Sequence, residues 1–301
     1  MNSLRVSLMA VVFCAQAGIC ARGVTGQEQD SANKQAQGQQ QAPAEAAKGA
    51  QATTPAPDLV AQLDEIVAVP NRPTFASTAE IVQRGVFEVE YGFELAKAHQ
   101  NINGLLKFGL FKNLELWFLN LPIERDNAVA GRGDSGAGFK FRMISQSKVN
   151  PTLSILYIAT LPTATAQLGA GALGHSAQLL ASKDFGKHHF DVNEGVQFVG
   201  RPGASGFDHN YFTALSYSHP LSGKWGWTGE IAGFSPTNAG NPASMTLLAA
   251  ATYNVSSRLV VDGGAYLAAY GDLPRITFFS GVTYSVADLY RLRSSHRSAR
   301  H

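Results

Sequence analysis

Hydrophobic and polar residues alternate along most of the chain beyond residue 84. The segment at 86–95, VFEVEYGFEL, places aromatic and aliphatic side chains on one face and Glu88, Glu90 and Glu94 on the other. Such a strand fits a soluble sheet, with its apolar face in the core, or a membrane barrel, with its apolar face against lipid. One strand does not distinguish these two environments.

The spacing of such strands is more informative than any one of them. About twelve alternating segments follow one another, and short connections such as 112–113 alternate with longer ones such as 124–135 and 163–174. That alternation is typical of an up-and-down barrel, whose two rims carry connections of different length. We therefore predict an all-β fold, an up-and-down antiparallel transmembrane β-barrel of about twelve strands over residues 84–290.

The N-terminal part of the chain lacks this pattern. Residues 1–22 have the layout of a secretory signal peptide, with cleavage expected after Ala17 or near Ala21 and lipidation of Cys20 left open. The Gln- and Ala-rich stretch 23–57 predicts a disordered linker.

The remaining pieces complete the expected domain order. Residues 58–83 are expected to form a periplasmic segment or a plug, and 291–301 a basic tail. The mature chain has no long apolar run that predicts a transmembrane helix. Because an even number of hairpin-linked strands ends on the side where it began, we expect both termini in the periplasm and the barrel in the outer membrane of a Gram-negative-type cell.

If the apolar faces contact lipid, the polar faces line a lumen. The charged residues on this register are the candidate lumen-lining residues, namely Glu88, Glu90, Glu94, Lys140, Arg142, Glu230, Asp262 and Arg275. Both signs occur, so we expect ion pairs across the lumen rather than a single-sign ion filter. Lys140 and Arg142 are the expected partners of the first three glutamates.

Two further features bear on this prediction. Glu194 shares the register of Val192, so its carboxylate would face lipid unless a β-bulge resets the register or the residue lies near the interface. Aromatic residues near segment ends, including Trp117, Trp225 and Trp227, suit the girdles at the two membrane interfaces.

The sequence holds little that suggests chemistry. The formal net charge of +2 argues against a nucleic-acid partner. His188-His189 lacks carboxylates or cysteines at metal-ligand spacing, and Asp208-His209 lacks a nucleophile motif. We therefore predict a protein that is not an enzyme, with no catalytic residues, metal or cofactor. Its expected partners are outer-membrane lipid, a small-molecule solute and the barrel-insertion machinery.

Both ends of the barrel region resemble a known family. The stretch NRPTFASTAEIVQRGVFEVEYGFE, residues 71–94, and the ending GVTYSVADLYR, residues 281–291, resemble the first and last strands of the outer-membrane family named for meta-pathway phenol degradation. The resemblance covers about residues 70–291. It implies an outer-membrane β-barrel transporter that passes small aromatic or other hydrophobic compounds.

The leading functional prediction is a passive channel or uptake transporter for small compounds. A structural or ligand-binding barrel with a filled lumen is the alternative, and a secreted soluble β-sandwich that binds a ligand is the third. A barrel of about twelve strands is narrower than a porin of about sixteen. We expect a narrow or partly blocked lumen, with loops 124–135 and 163–174 or residues 58–82 as the obstruction.

Overall fold

The computed structural model describes residues 65–238 and 241–291, and nearly all regular structure in them is antiparallel strand. The strands are β1 (Val86–Leu95), β2 (His99–Phe111), β3 (Leu114–Asp126), β4 (Val129–Gly131), β5 (Ser135–Ile144), β6 (Thr152–Leu161), β7 (Gly174–Phe185), β8 (His188–Gly200), β9 (Phe207–Pro220), β10 (Trp225–Phe234), β11 (Ser244–Asn254), β12 (Leu259–Tyr270) and β13 (Ile276–Asp288). The predicted signal peptide, linker and most of the basic tail lie outside the described residues. Within the described part of the chain, no helix is long and apolar enough to cross a membrane.

The strands form one closed sheet. The β1–β13 and β2–β3 pairings complete a ring of neighbours, and β4 pairs with the end of β3 alone, so twelve of the thirteen strands make the wall. This confirms the predicted barrel and excludes a two-sheet sandwich. The short strand β4 was not predicted; it folds back on β3 through Asn127, a residue in the left-handed region at φ 53°.

The two rims differ as predicted, with exceptions. One rim, hereafter the turn rim, carries mostly short connections, including 112–113, 186–187 and 221–224. The other, hereafter the loop rim, carries mostly longer ones, including 162–173 and 201–206. Two connections depart from this pattern, because 96–98 on the loop rim is short and 145–151 on the turn rim is long.

The outer face of the wall is apolar and the inner face is polar. In β1, Phe93 and Leu95 are about half exposed, whereas Glu88 and Glu90 are completely buried. The outward side chains of other strands include Leu116, Phe118, Phe139, Ile155, Leu179, Leu215, Leu247, Leu267 and Phe278. Apolar residues outside and charged residues inside are the arrangement that a wall surrounded by lipid requires.

Glu194 lies in the middle of β8 and points outward. β8 pairs with β7 and β9 without a shift of register, so this strand lacks the bulge that would have turned Glu194 away from lipid. Thr213, directly opposite on β9, donates its hydroxyl to Glu194 at 2.8 Å. The wall thus supplies a hydrogen bond to a carboxylate on its apolar face.

The predicted aromatic girdle is partly wrong. Trp225 and Trp227 are exposed near the turn rim, and the Trp225 ring lies 4.8 Å from that of Tyr253. Trp117 is instead buried on the inner face, because it shares the inward register of Glu115 on β3.

A charge on the outer face tests the lipid-facing assignment. Leu215→Arg, near the middle of β9, is expected to lower the free energy of unfolding in lipid vesicles by about 2–4 kcal/mol. Val149→Arg, at an 85% exposed position in the 145–151 connection, is the control and should change it by less than about 0.5 kcal/mol. Urea titration followed by tryptophan fluorescence measures both values. Equal losses in the two variants would contradict the assignment.

Candidate functional site

Residues 65–84, hereafter the inserted segment, lie inside the barrel. The segment enters at the turn rim, where the Ala68 N–H donates to the carbonyl of Ser257 at 2.8 Å. It reaches furthest at Phe75, whose ring lies 5.7 Å from that of Phe234 at the loop-rim end of β10. It returns to the turn rim, where the Gly85 N–H donates to Gly109. The segment therefore enters and leaves by the same rim.

Carboxylates of the wall accept the backbone N–H groups of this segment. On β1, Glu88 accepts from Val69 at 2.9 Å, and Glu90 accepts from Asn71 at 3.0 Å and from Arg72 at 3.2 Å. On β10, Glu230 accepts from Phe75 at 3.0 Å and from Ala76 at 2.6 Å. On β3, Glu115 accepts from Val82 at 2.5 Å. An extended chain cannot pair these donors with itself, and hydrogen bonds to a charged acceptor are stronger than neutral ones. Glutamates on β1, β3 and β10 thus hold the segment in place.

Other inward side chains bind the carbonyls of the segment. Lys140 donates to Thr78 at 3.0 Å. Asn193 pairs with both backbone groups of Ser77, accepting its N–H at 2.6 Å and donating to its carbonyl at 2.9 Å. A neighbouring strand would make the same pair of bonds. The inner wall therefore replaces a partner strand with side chains.

A buried ion-pair cluster lies beside this interface. Lys107 is completely buried, with its Nζ 2.6 Å from Glu88 Oε1, and it also contacts Glu90. Lys107 lies directly opposite Glu88 in the β1–β2 pairing, so the neighbouring strand supplies the counter-ion.

The expected partners across the lumen were therefore wrong for the β1 glutamates. Lys140 lies 3.6 Å from Glu115, and Arg142 lies 2.9 Å from Glu80 of the inserted segment. Lys107 and Glu115 were missed. Their signal in the sequence is weak, because apolar residues such as Leu105 share their inward register and obscure the alternation.

The remaining predicted residues occupy three settings. Glu94 accepts a hydrogen bond from the Tyr266 hydroxyl at 3.0 Å. Asp262 accepts two hydrogen bonds from the Arg72 guanidinium, each at 3.3 Å. Arg275 is exposed at the loop rim, one residue before β13.

Two cavities lie on opposite sides of the inserted segment. One, hereafter the loop-rim cavity, has a volume of about 330 Å³ and has Glu94, Leu119 and Tyr266 in its wall. The other, of about 450 Å³, extends to Lys187 at the turn rim. Both are also lined by the stretch 72–74, Arg-Pro-Thr, so these residues separate the cavities.

The fold of the barrel is similar to that of solved outer-membrane channels. The chain is similar to the COG4313 outer membrane channel from Pseudomonas putida F1, at 11% identity and a TM-score of 0.56, over 70% of this chain and 99% of that one. It is also similar to the NanC porin, at 8% identity and a TM-score of 0.52, over 66% of this chain and 100% of that one. At such identities the similarity establishes the fold alone. No family model and no curated protein match the chain, so the resemblance to the phenol degradation family stays a prediction.

The buried cluster has a measurable energetic role. Lys107→Met leaves two buried carboxylates without their counter-ion and is expected to lower the free energy of unfolding by about 3–5 kcal/mol. Lys97→Met, which changes an exposed lysine in the 96–98 connection, is the matched control and should have little effect. Urea titration in lipid vesicles gives both values, and similar stabilities would mean that the cluster contributes nothing.

Proposed function

We propose that this protein is a passive channel of the outer membrane that passes small solutes, and that the inserted segment closes it. The observation that carries the proposal is the pair of cavities, one on each side of the inserted segment, that both meet the stretch 72–74. Displacement of this stretch would join them into a path through the barrel. We also propose that the turn rim and both ends of the barrel face the periplasm.

The way in which the segment is held supports a movable closure. Many of its contacts with the wall are hydrogen bonds to side chains, such as those of Glu230 and Asn193. Water can replace such bonds at a net cost of about 0.5–1.5 kcal/mol each, or more where the acceptor is charged. Because the segment enters and leaves by the turn rim, it can withdraw there while every strand pairing of the wall stays intact.

The walls of the loop-rim cavity favour small solutes with an apolar ring. Phe75, Trp117, Tyr266 and Phe279 contribute aromatic surface, and Glu94 contributes a polar edge. Aromatic faces bind rings by stacked or edge contacts. We infer that small aromatic or other hydrophobic compounds are the solutes.

A structural barrel with a permanently filled lumen is the second candidate. The complete burial of Lys107, Glu88 and Glu90 favours it, because a cluster of this kind braces the wall. The two functions differ in whether current ever passes through the protein.

Recording from single molecules in planar bilayers separates the candidates. We expect wild-type protein to open rarely and Arg72→Ala to raise the open fraction on the order of tenfold, since the variant loses charge-assisted hydrogen bonds to Asp262 and a bond to Asn103. Arg84→Ala is the control, because Arg84 lies at the end of the same segment with its guanidinium over the Tyr290 ring. The absence of current from all three proteins would reject the channel and favour the filled barrel.

A further inference from the structure

The Arg72 side chain lies in a slot in the barrel wall that two glycines create. Gly92 on β1 and Gly281 on β13 are directly paired. A Cβ atom at Gly92 would overlap Arg72 Cζ, and one at Gly281 would overlap Arg72 Nε. Any other residue at either position would therefore fill the space that the guanidinium occupies.

The polar groups of the slot lie in the same row of the sheet. Asn103 on β2 pairs with Gly92, and Asp262 on β12 pairs with Gly281. The row thus runs Asn103, Gly92, Gly281, Asp262 across four consecutive strands, each about 4.8 Å from the next. An amide oxygen and a carboxylate stand at its two ends, with bare backbone between them.

This row matches the donors of a planar cation. Nε and Nη2 of Arg72 donate to the two oxygens of Asp262 at 3.3 Å, and Nη1 donates to Asn103 at 2.8 Å. A guanidinium presents its N–H donors in a fixed plane, whereas an ammonium is a compact point charge without this planar arrangement of donors. The row should therefore distinguish the two kinds of cation.

The same site favours a replacement cation when Arg72 is absent. The Asp262 side chain is 3% exposed, and a buried carboxylate without a counter-ion is costly. Arg72 and Asn103 also line the loop-rim cavity of about 330 Å³, so a small solute in that cavity can reach the slot.

We propose that the row Asn103, Gly92, Gly281 and Asp262 is a binding site for guanidinium groups. Arg72 is its resident ligand in the closed barrel, and small compounds that carry a guanidinium bind there when Arg72 leaves. Binding depends on the row alone, whereas access to the row through the lumen rests on the proposed channel function.

Calorimetric titration of the full chain in detergent tests the site directly. Arg72→Ala vacates the slot, and methylguanidinium chloride should then bind the variant saturably. We expect this binding to be at least about tenfold tighter than the binding of methylammonium chloride to the same variant. It should also be at least about tenfold tighter than the binding of methylguanidinium to wild type. Adding Gly281→Ala to Arg72→Ala should abolish this binding, because the new Cβ occupies the slot. Adding Asn103→Ala instead keeps the glycines and should weaken it at least about threefold.

The outcomes separate this site from the channel. Heat-modifiable mobility on a gel verifies that each variant is folded, and if the Gly281→Ala variant does not fold, the Asn103→Ala variant decides the question. Equal binding of both cations by the Arg72→Ala variant, or binding unaffected by the second substitution, would overturn the site. Planar-bilayer current from the same Arg72→Ala protein is read separately, so binding without current rejects the channel, and current without binding rejects the site.

Discussion

The closed lumen depends on hydrogen bonds from backbone N–H groups of the inserted segment to buried carboxylates of the wall. The wall strands pair with one another around the ring, so their backbone groups are satisfied without outside help. The inserted segment has no such partner strand, and Glu88, Glu90 and Glu230 accept its donors instead. The position of the segment and the separation of the two cavities follow from these bonds.

The carboxylates of the inner wall have two kinds of partner, lysines of the wall and backbone donors of the inserted segment. Lys107 offsets Glu88 and Glu90 from the neighbouring strand, and Lys140 lies near Glu115. Glu230 accepts two backbone donors of the inserted segment instead of facing a lysine. Ion pairs therefore connect neighbouring strands of the wall, whereas hydrogen bonds from backbone N–H groups connect the carboxylates to the inserted segment.

The barrel was predictable because its signal is local. Alternation along each strand and the lengths of the connections require no knowledge of which strands meet. The pairs that inward side chains form were harder to predict, since they depend on the register between strands. Lys107 pairs with Glu88 because of the β1–β2 alignment, and the row from Asn103 to Asp262 exists only because β1 pairs with β13 at the far end of the chain.

Residues that break the local pattern were the hardest to place. Trp117 was assigned to the outer girdle by its residue type, but its inward register takes it to the lumen. Glu194 was expected to face lipid unless a bulge or a position near the interface intervened; its strand is regular, and Thr213 on the next strand supplies a hydrogen bond. The register of its own strand therefore decides the environment of Trp117, and the neighbouring strand supplies the partner of Glu194.

A reversible cross-link tests most directly whether the inserted segment closes the proposed channel. Ala76 of the segment lies in the same buried cluster as Ala214 of the wall, so Ala76→Cys combined with Ala214→Cys is the pair chosen to form a disulfide that fixes the segment. Single-channel recording should find no openings while the disulfide is intact and openings after a reductant is added. Equal open fractions before and after reduction, with the disulfide verified by mass spectrometry, would contradict closure by the inserted segment.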